Sequence, residues 1–150
     1  MKSIIILLTG ILLSAGYAQN LDTKDIPKIV IDKFNSSFPK AANVKWTIEK
    51  SNYEASFKTS RKEMSVNFDE KGNVVETETE IKLSGLPVEI RTSISKNYSG
   101  YKITEITKIK TRGITTYEAE VTHGKDKMDL MYDDHGVLKS KNNKESGERH

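Results

Sequence analysis

The chain has 150 residues, 24 Lys and Arg against 21 Asp and Glu, and no Cys. A charge so evenly balanced does not predict nucleic-acid binding, which needs a clustered basic face. The absence of Cys excludes disulfides, thiol catalysis and an acylated lipoprotein anchor, so stability must come from packing.

Lys2 precedes an apolar run, Ile4 to Leu13, and then Ser14-Ala15-Gly16-Tyr17-Ala18-Gln19, with small residues where a signal peptidase reads. The pattern predicts an export signal over 1–18, cleaved after Ala18, and a product in the periplasm or outside the cell. A transmembrane anchor needs roughly 20 apolar residues, about twice this run. The remainder is long enough for one domain with a single core.

After a polar leader, Ile26, Val30, Phe34 and Phe38 recur every fourth residue. That spacing predicts an amphipathic helix, capped by Thr23 or Asp25, with Pro27 in its first turn and Pro39 ending it. Val44, Trp46 and Ile48 then alternate with polar residues, predicting a half-buried strand with all three facing inward. Tyr53, Ala55 and Phe57 form a second apolar row, and Met64, Val66 and Phe68 a third. Asp69-Glu70-Lys71-Gly72 is a hairpin turn with Gly where φ becomes positive. A fourth strand follows, in which Val75, Thr77, Thr79 and Ile81 alternate with Glu76, Glu78 and Glu80; its polarity predicts an edge strand or one bent away from the core.

The pattern then returns. Leu86, Ile90, Ile94 and Tyr98 lie 60 residues after the first helix stripe, and Pro87 answers Pro27. Tyr53, Glu54, Ala55, Met64, Phe68, Asp69 and Gly72 fall on Tyr117, Glu118, Ala119, Met128, Tyr132, Asp133 and Gly136 at an offset of 64, with six of the seven pairs identical. The change of offset predicts a longer first strand in the second copy, near Tyr101 to Lys110, where Ile103, Ile106 and Ile109 break alternation as a bulge would. Val137 to Lys139 begin a short last strand, and 140–150, without an apolar residue, is expected to be a disordered tail.

The predicted fold is therefore α+β: a tandem duplication of a helix-plus-four-strand unit, with repeats at 25–82 and 84–139 in one domain over 19–139. Short connections make the sheet antiparallel, with about eight strands. Two helices with one apolar stripe each cover one face and leave the other open.

The IP and LP helix starts, Phe38-Pro39, Val44-x-Trp46, the YEA strands at Tyr53 and Tyr117, and the turns from Phe68 to Gly72 and Tyr132 to Gly136 resemble the PepSY-like exported proteins of Bacteroidetes. The fold of that family is similar to beta-lactamase inhibitor protein. The resemblance spans nearly all of the mature chain and implies a tandem-repeat sheet domain, mostly of unknown function. It transfers no inhibitory residue, because fold does not carry activity.

The leading candidate site is the exposed sheet face formed by Glu54, Ser56, Lys58, Ser65 and Asn67 in the first half and Glu118, Glu120, Thr122, Asp129 and Met131 in the second, with Glu54, Ser56, Lys58, Glu118, Glu120 and Met131 as the partner contacts. Met131 is expected there as an adaptable apolar contact for a protein partner. The rival reading is a small-ligand carrier or envelope stress protein, with a pocket lined by Trp46, Tyr53, Tyr101 and Tyr117. Tyr98 and Tyr101 flank Gly100 and are candidates for an interface rim. Asp133, Asp134 and His135 are explained by turn chemistry and lack a calcium-loop pattern. His123 stands apart from any nucleophile pattern. Glu76, Glu78 and Glu80 share one face, but a solvated edge would not separate their pKa values as acid/base catalysis requires. The sequence thus predicts a non-enzymatic, protein-binding exported module without cofactor or metal.

Overall fold

The computed structural model describes residues 20–60 and 62–144; the proposed signal segment and its cleavage site lie outside them. Helix α1 (Lys28–Ser37) is followed by β1 (Ala42–Glu49), β2 (Asn52–Thr59), β3 (Lys62–Phe68) and β4 (Val74–Glu80). Helix α2 (Val88–Asn97) is followed by β5 (Lys102–Thr111), β6 (Ile114–His123), β7 (Asp126–Asp133) and β8 (Leu138–Lys144). The strands form one antiparallel sheet in the order β1-β2-β3-β4-β5-β6-β7-β8. Each connection within a unit is a hairpin, so chain order is also spatial order.

The duplication is visible in packing. Ile26, Val30 and Phe34 of the first unit cluster with Trp46, Ala55, Phe57, Val66 and Phe68. Leu86, Ile90 and Ile94 of the second cluster with residues of β5, β6 and β7, among them Ile106, Tyr117, Leu130 and Tyr132. Phe34 meets the rings of Trp46 and Phe57 edge-on, each at 5.1 Å. Both helices therefore serve the same side of the sheet, as one apolar stripe per helix requires. The extra residues of the second copy lengthen its first hairpin: β5 and β6 have 10 residues each, against 8 each in β1 and β2. The bulge lies between Ile103 and Glu105. It returns Ile106 to the helix side while Ile109 faces the other.

The two Asp-x-x-Gly turns are built alike. Asp69 accepts from the backbone amides of Lys71 and Asn73, and Asp133 from those of His135 and Val137. Gly72 and Gly136 have φ of +78° and +82° and press against the helices; a Cβ on Gly136 would lie 2.7 Å from Cβ of Glu89. Positive φ and close approach together make Gly the fitting residue.

Four expectations are corrected. Neither Thr23 nor Asp25 caps α1: both lie in a separate 3₁₀ turn closed by Asp22, and Pro27 precedes the helix without a side-chain cap. Val44 and Ile48 are exposed and only Trp46 is buried, because α1 reaches β1 through Phe34 alone among its aromatic contacts there and Asn43 bulges the edge. Strand β4 is central, hydrogen-bonded to β3 and β5. Its polarity marks a seam: neither core cluster takes a buried residue from it. Residues 140–144 belong to β8, paired with β7 from Met131↔Ser140 to Lys127↔Lys144. An edge strand needs backbone partners more than apolar side chains, and Lys144 adds ion pairs.

Candidate functional site

The face opposite the helices is laid out by register. One row across the sheet reads Thr47, Glu54, Asn67, Glu76, Thr111; the next reads Lys45, Ser56, Ser65, Glu78, Ile109, Thr116. Glu80 pairs with Thr107, Thr107 with Glu118, and Glu118 with Met131. All six residues proposed for the partner-binding face thus share it, but they are not equally accessible. Ser56 and Lys58 are exposed, Glu54 and Glu118 are half-buried, and Glu120 and Met131 are 9% and 4% exposed. The expectation of Met131 as an accessible contact is corrected: it sits beneath neighbouring side chains and supports the surface. Ser65, Asn67 and Asp129, expected to be exposed on this face, are corrected as well: all three are buried, although no helix covers them. Side chains from neighbouring strands cover one another there.

That cover changes the electrostatics. Glu78 is pushed up to about 7, first by burial and then by the carboxylates of Glu76, Glu54, Glu118 and Glu49. Its register partner Ile109 is apolar and buried. Glu118 is likewise raised to about 7, by burial and then by Asp129, with Lys144 opposing. Glu54 is raised by burial, with Glu49 and Glu76 adding to it against a 3.0 Å hydrogen bond from Thr47. Desolvation disfavours a carboxylate, and like charges compound it.

Glu120 shows the opposite outcome in the second repeat. Burial alone would raise it, but hydrogen bonds from Lys127, Thr104 and Lys144 bring it down to about 2. The Lys144 ammonium lies 2.9 Å from Asp129 and 3.0 Å from Glu120, and Lys127 lies 2.7 Å from Glu120. Where the first repeat meets the second, a shallow hollow of about 140 Å³ opens between β2, β3, β4 and β5, with Glu54, Glu63, Glu78, Glu80 and Glu105 among its walls. Lys58 engages Glu63 at 2.7 Å. Asn67, beside the hollow, donates to Glu49 at 3.2 Å while its Oδ1 stays buried without a donor.

The acid ladder of β4 was legible as one face of one strand. Its placement at the seam, which raises Glu78, was not, since polar alternation reads the same at an edge. The proposed aromatic pocket is not assembled: Trp46 and Tyr53 belong to the first core, Tyr101 and Tyr117 to the second. Tyr98 and Tyr101 meet edge-on at 6.1 Å, and Tyr101 also meets His123 at 5.3 Å. Among the described residues no three His, Cys, Asp or Glu side chains are placed to hold a metal ion. No helix among them is long and apolar enough to cross a membrane.

A duplicated antiparallel sheet, sheathed by two helices on one side and bare on the other, is the architecture of a beta-lactamase-inhibitor-like domain. The chain belongs to the PepSY-like family: the family described as "Putative beta-lactamase-inhibitor-like, PepSY-like" matches residues 15–76 and again 51–140. Among solved structures it is similar to a BLIP-like protein from Bacteroides fragilis, with 23% identity, a TM-score of 0.66, and 91% and 95% of the two chains covered. A DUF2874 family protein from Bacteroides uniformis shares 20% identity at a TM-score of 0.71, covering 78% of this chain and 88% of its own. A third, from Bacteroides eggerthii and described among "putative periplasmic proteins", shares 18% at 0.73, covering 79% and 88%. Identities this low show the fold alone. A comparison with curated proteins gives no match.

Proposed function

We propose that the chain is an exported, non-enzymatic binding module that receives a protein partner on its open sheet face, with Glu54, Ser56, Lys58 and Glu118 at the contact and Glu120 and Met131 supporting it. Capture of an envelope enzyme in this way would inhibit it. The observation that carries the reading is the one-sided packing: both helices are spent on one face, and the other presents a broad, closed-up polar surface with a hollow. The hydroxyls beside its carboxylates, Ser65 at Glu78, Thr47 at Glu54 and Thr111 at Glu76, donate to those carboxylates, an arrangement that suits recognition better than turnover. The carrier reading is weaker, because Trp46 is packed against Phe34 and Phe68, at 5.1 and 6.4 Å, where it would have to line a cavity.

The test places a photo-cross-linking amino acid at exposed Ser56 or, on the outer side of α2, at exposed Arg91. Adducts in envelope preparations are expected from position 56 and not from 91. Adducts from 91 alone, or none from 56, would remove the open face from consideration.

A further inference from the structure

We propose that the partner presents a basic side chain, Lys or Arg, on a convex loop, and that this side chain enters the hollow at the seam between the repeats, among Glu54, Glu78, Glu80 and Glu105. The proposal rests on the reading that the open face is a protein-docking surface and states the chemistry of what docks.

Three observations carry it. The first is charge: five carboxylates line the hollow, and Lys58 reaches one of them, Glu63. The groups facing Glu78 are Ser65 from β3, Glu54 from β2, Glu49 from β1, Glu76 on its own strand, Ile109 from β5 and Glu118 from β6. The Ser65 hydroxyl, 3.4 Å from Glu78, has a single proton to share with Glu54. The second is an unanswered acceptor at the hollow's margin: Asn67 is 5% exposed, stands in register between Glu54 and Glu76, one row along from the walling Ser65 and Glu78, and keeps its Oδ1 without a donor. Ammonium and guanidinium groups are donors only, with three and five N–H bonds. The third is internal precedent: in the second repeat, Lys144 supplies such a cation to Asp129 and Glu120 and leaves Glu120 firmly ionised. The position 64 residues earlier holds Glu80, so the first repeat carries an acid where the second carries its cation.

Size and spacing choose among cations. A hollow of 140 Å³ has room for about four or five waters, or the end of one long side chain. Its carboxylates are not placed to converge on a bare ion. A long apolar stem with a charged head can lie against the walls, Met64 and Thr107 among them, and still reach several oxygens.

The test uses the protein purified from the cell envelope and a cyclic octapeptide with two adjacent Arg, against the same ring with citrulline, the neutral isostere. Saturable shifts are expected at the backbone amides of Glu54, Ser65, Glu78 and Thr107, with the citrulline ring at least about tenfold weaker. Glu54→Gln with Glu78→Gln should weaken the Arg ring by a similar factor while the melting temperature rises, so that lost binding is not lost fold. Asp32→Asn on α1 should change nothing. Equal binding of the two rings, equal loss in Asp32→Asn, or displacement of the ring by calcium chloride at matched ionic strength would overturn the proposal. If only the cationic probe fails while cross-linking from Ser56 persists, the docking face stands and its partner is not basic. If both fail, the face itself falls.

Discussion

Glu78 stands directly across from Ile109 where β4 meets β5, so the join between the two repeats places a carboxylate against a buried apolar side chain. This pairing turns an acidic strand into a source of charge strain, and it sets how the domain should respond to pH. Glu78 and Glu118 have folded pKa values of about 7, above the ordinary 4.5. Between 4.5 and 7 the folded state binds more protons than the unfolded state, so stability should fall as pH rises through that window. Glu120, lowered to about 2, acts with the opposite sign but only between 2 and 4.5. Each raised group should cost roughly 1 to 3 kcal/mol at pH 8, after solvent screening. Urea unfolding at pH 5 and pH 8 measures it, and greater stability at pH 8 would refute it.

The glycines offer a graded series. Gly113 has φ of +86° and nothing within 4 Å of a built Cβ; Gly72 would meet Ile29 and Lys33 at 3.2 Å; Gly136 would meet Glu89 at 2.7 Å. Replacement by Ala should cost about 1 kcal/mol at Gly113, more at Gly72, and about 2 to 4 kcal/mol at Gly136, where strain and collision add. Thermal denaturation orders the three, and a Gly136→Ala protein no weaker than Gly113→Ala would contradict the docking of the turn under α2.

Lys144→Ala removes the cation shared by Asp129 and Glu120. Asp129 is 3% exposed, so its charge is left poorly compensated, and the loss should be about 2 to 3 kcal/mol at neutral pH. The cost should shrink as pH falls from 4.5 toward 2, where Glu120, held down to about 2 in part by Lys144, takes up its proton. A loss independent of pH would mean that Lys144 acts through packing.

Phe68 is fully buried and should cost about 3 to 5 kcal/mol on replacement by Ala. Its counterpart Tyr132 is also fully buried and takes a 3.4 Å hydrogen bond from Ser93, so Tyr132→Phe should cost about 1 kcal/mol or less. Equilibrium unfolding of the two variants compares the cores directly.

The fold was legible because it is written locally and twice. The stripe from Ile26 to Phe38 and the alternation around Tyr53 and Met64 return at nearly fixed offsets, and hairpin turns leave little choice of topology. What escaped was decided between distant residues. Glu76, Glu78 and Glu80 look the same at an edge as at a seam until β5 is laid beside them. Met131 looks exposed until the side chains of the strands on either side are laid beside it. Residues 140–144 carry no apolar signal, and their order comes from backbone pairing with β7 and from Lys144.

The most direct measurement is a carbon-13 NMR titration of the glutamate side-chain carboxyls, following Glu78 in the folded protein. A closed-up, acid-lined face predicts a midpoint near 7 for Glu78, moving down toward the ordinary range when the Arg-bearing ring is added. A midpoint near 4.5 in the free protein, unmoved by the ring, would mean that this side of the sheet is an ordinary solvated surface.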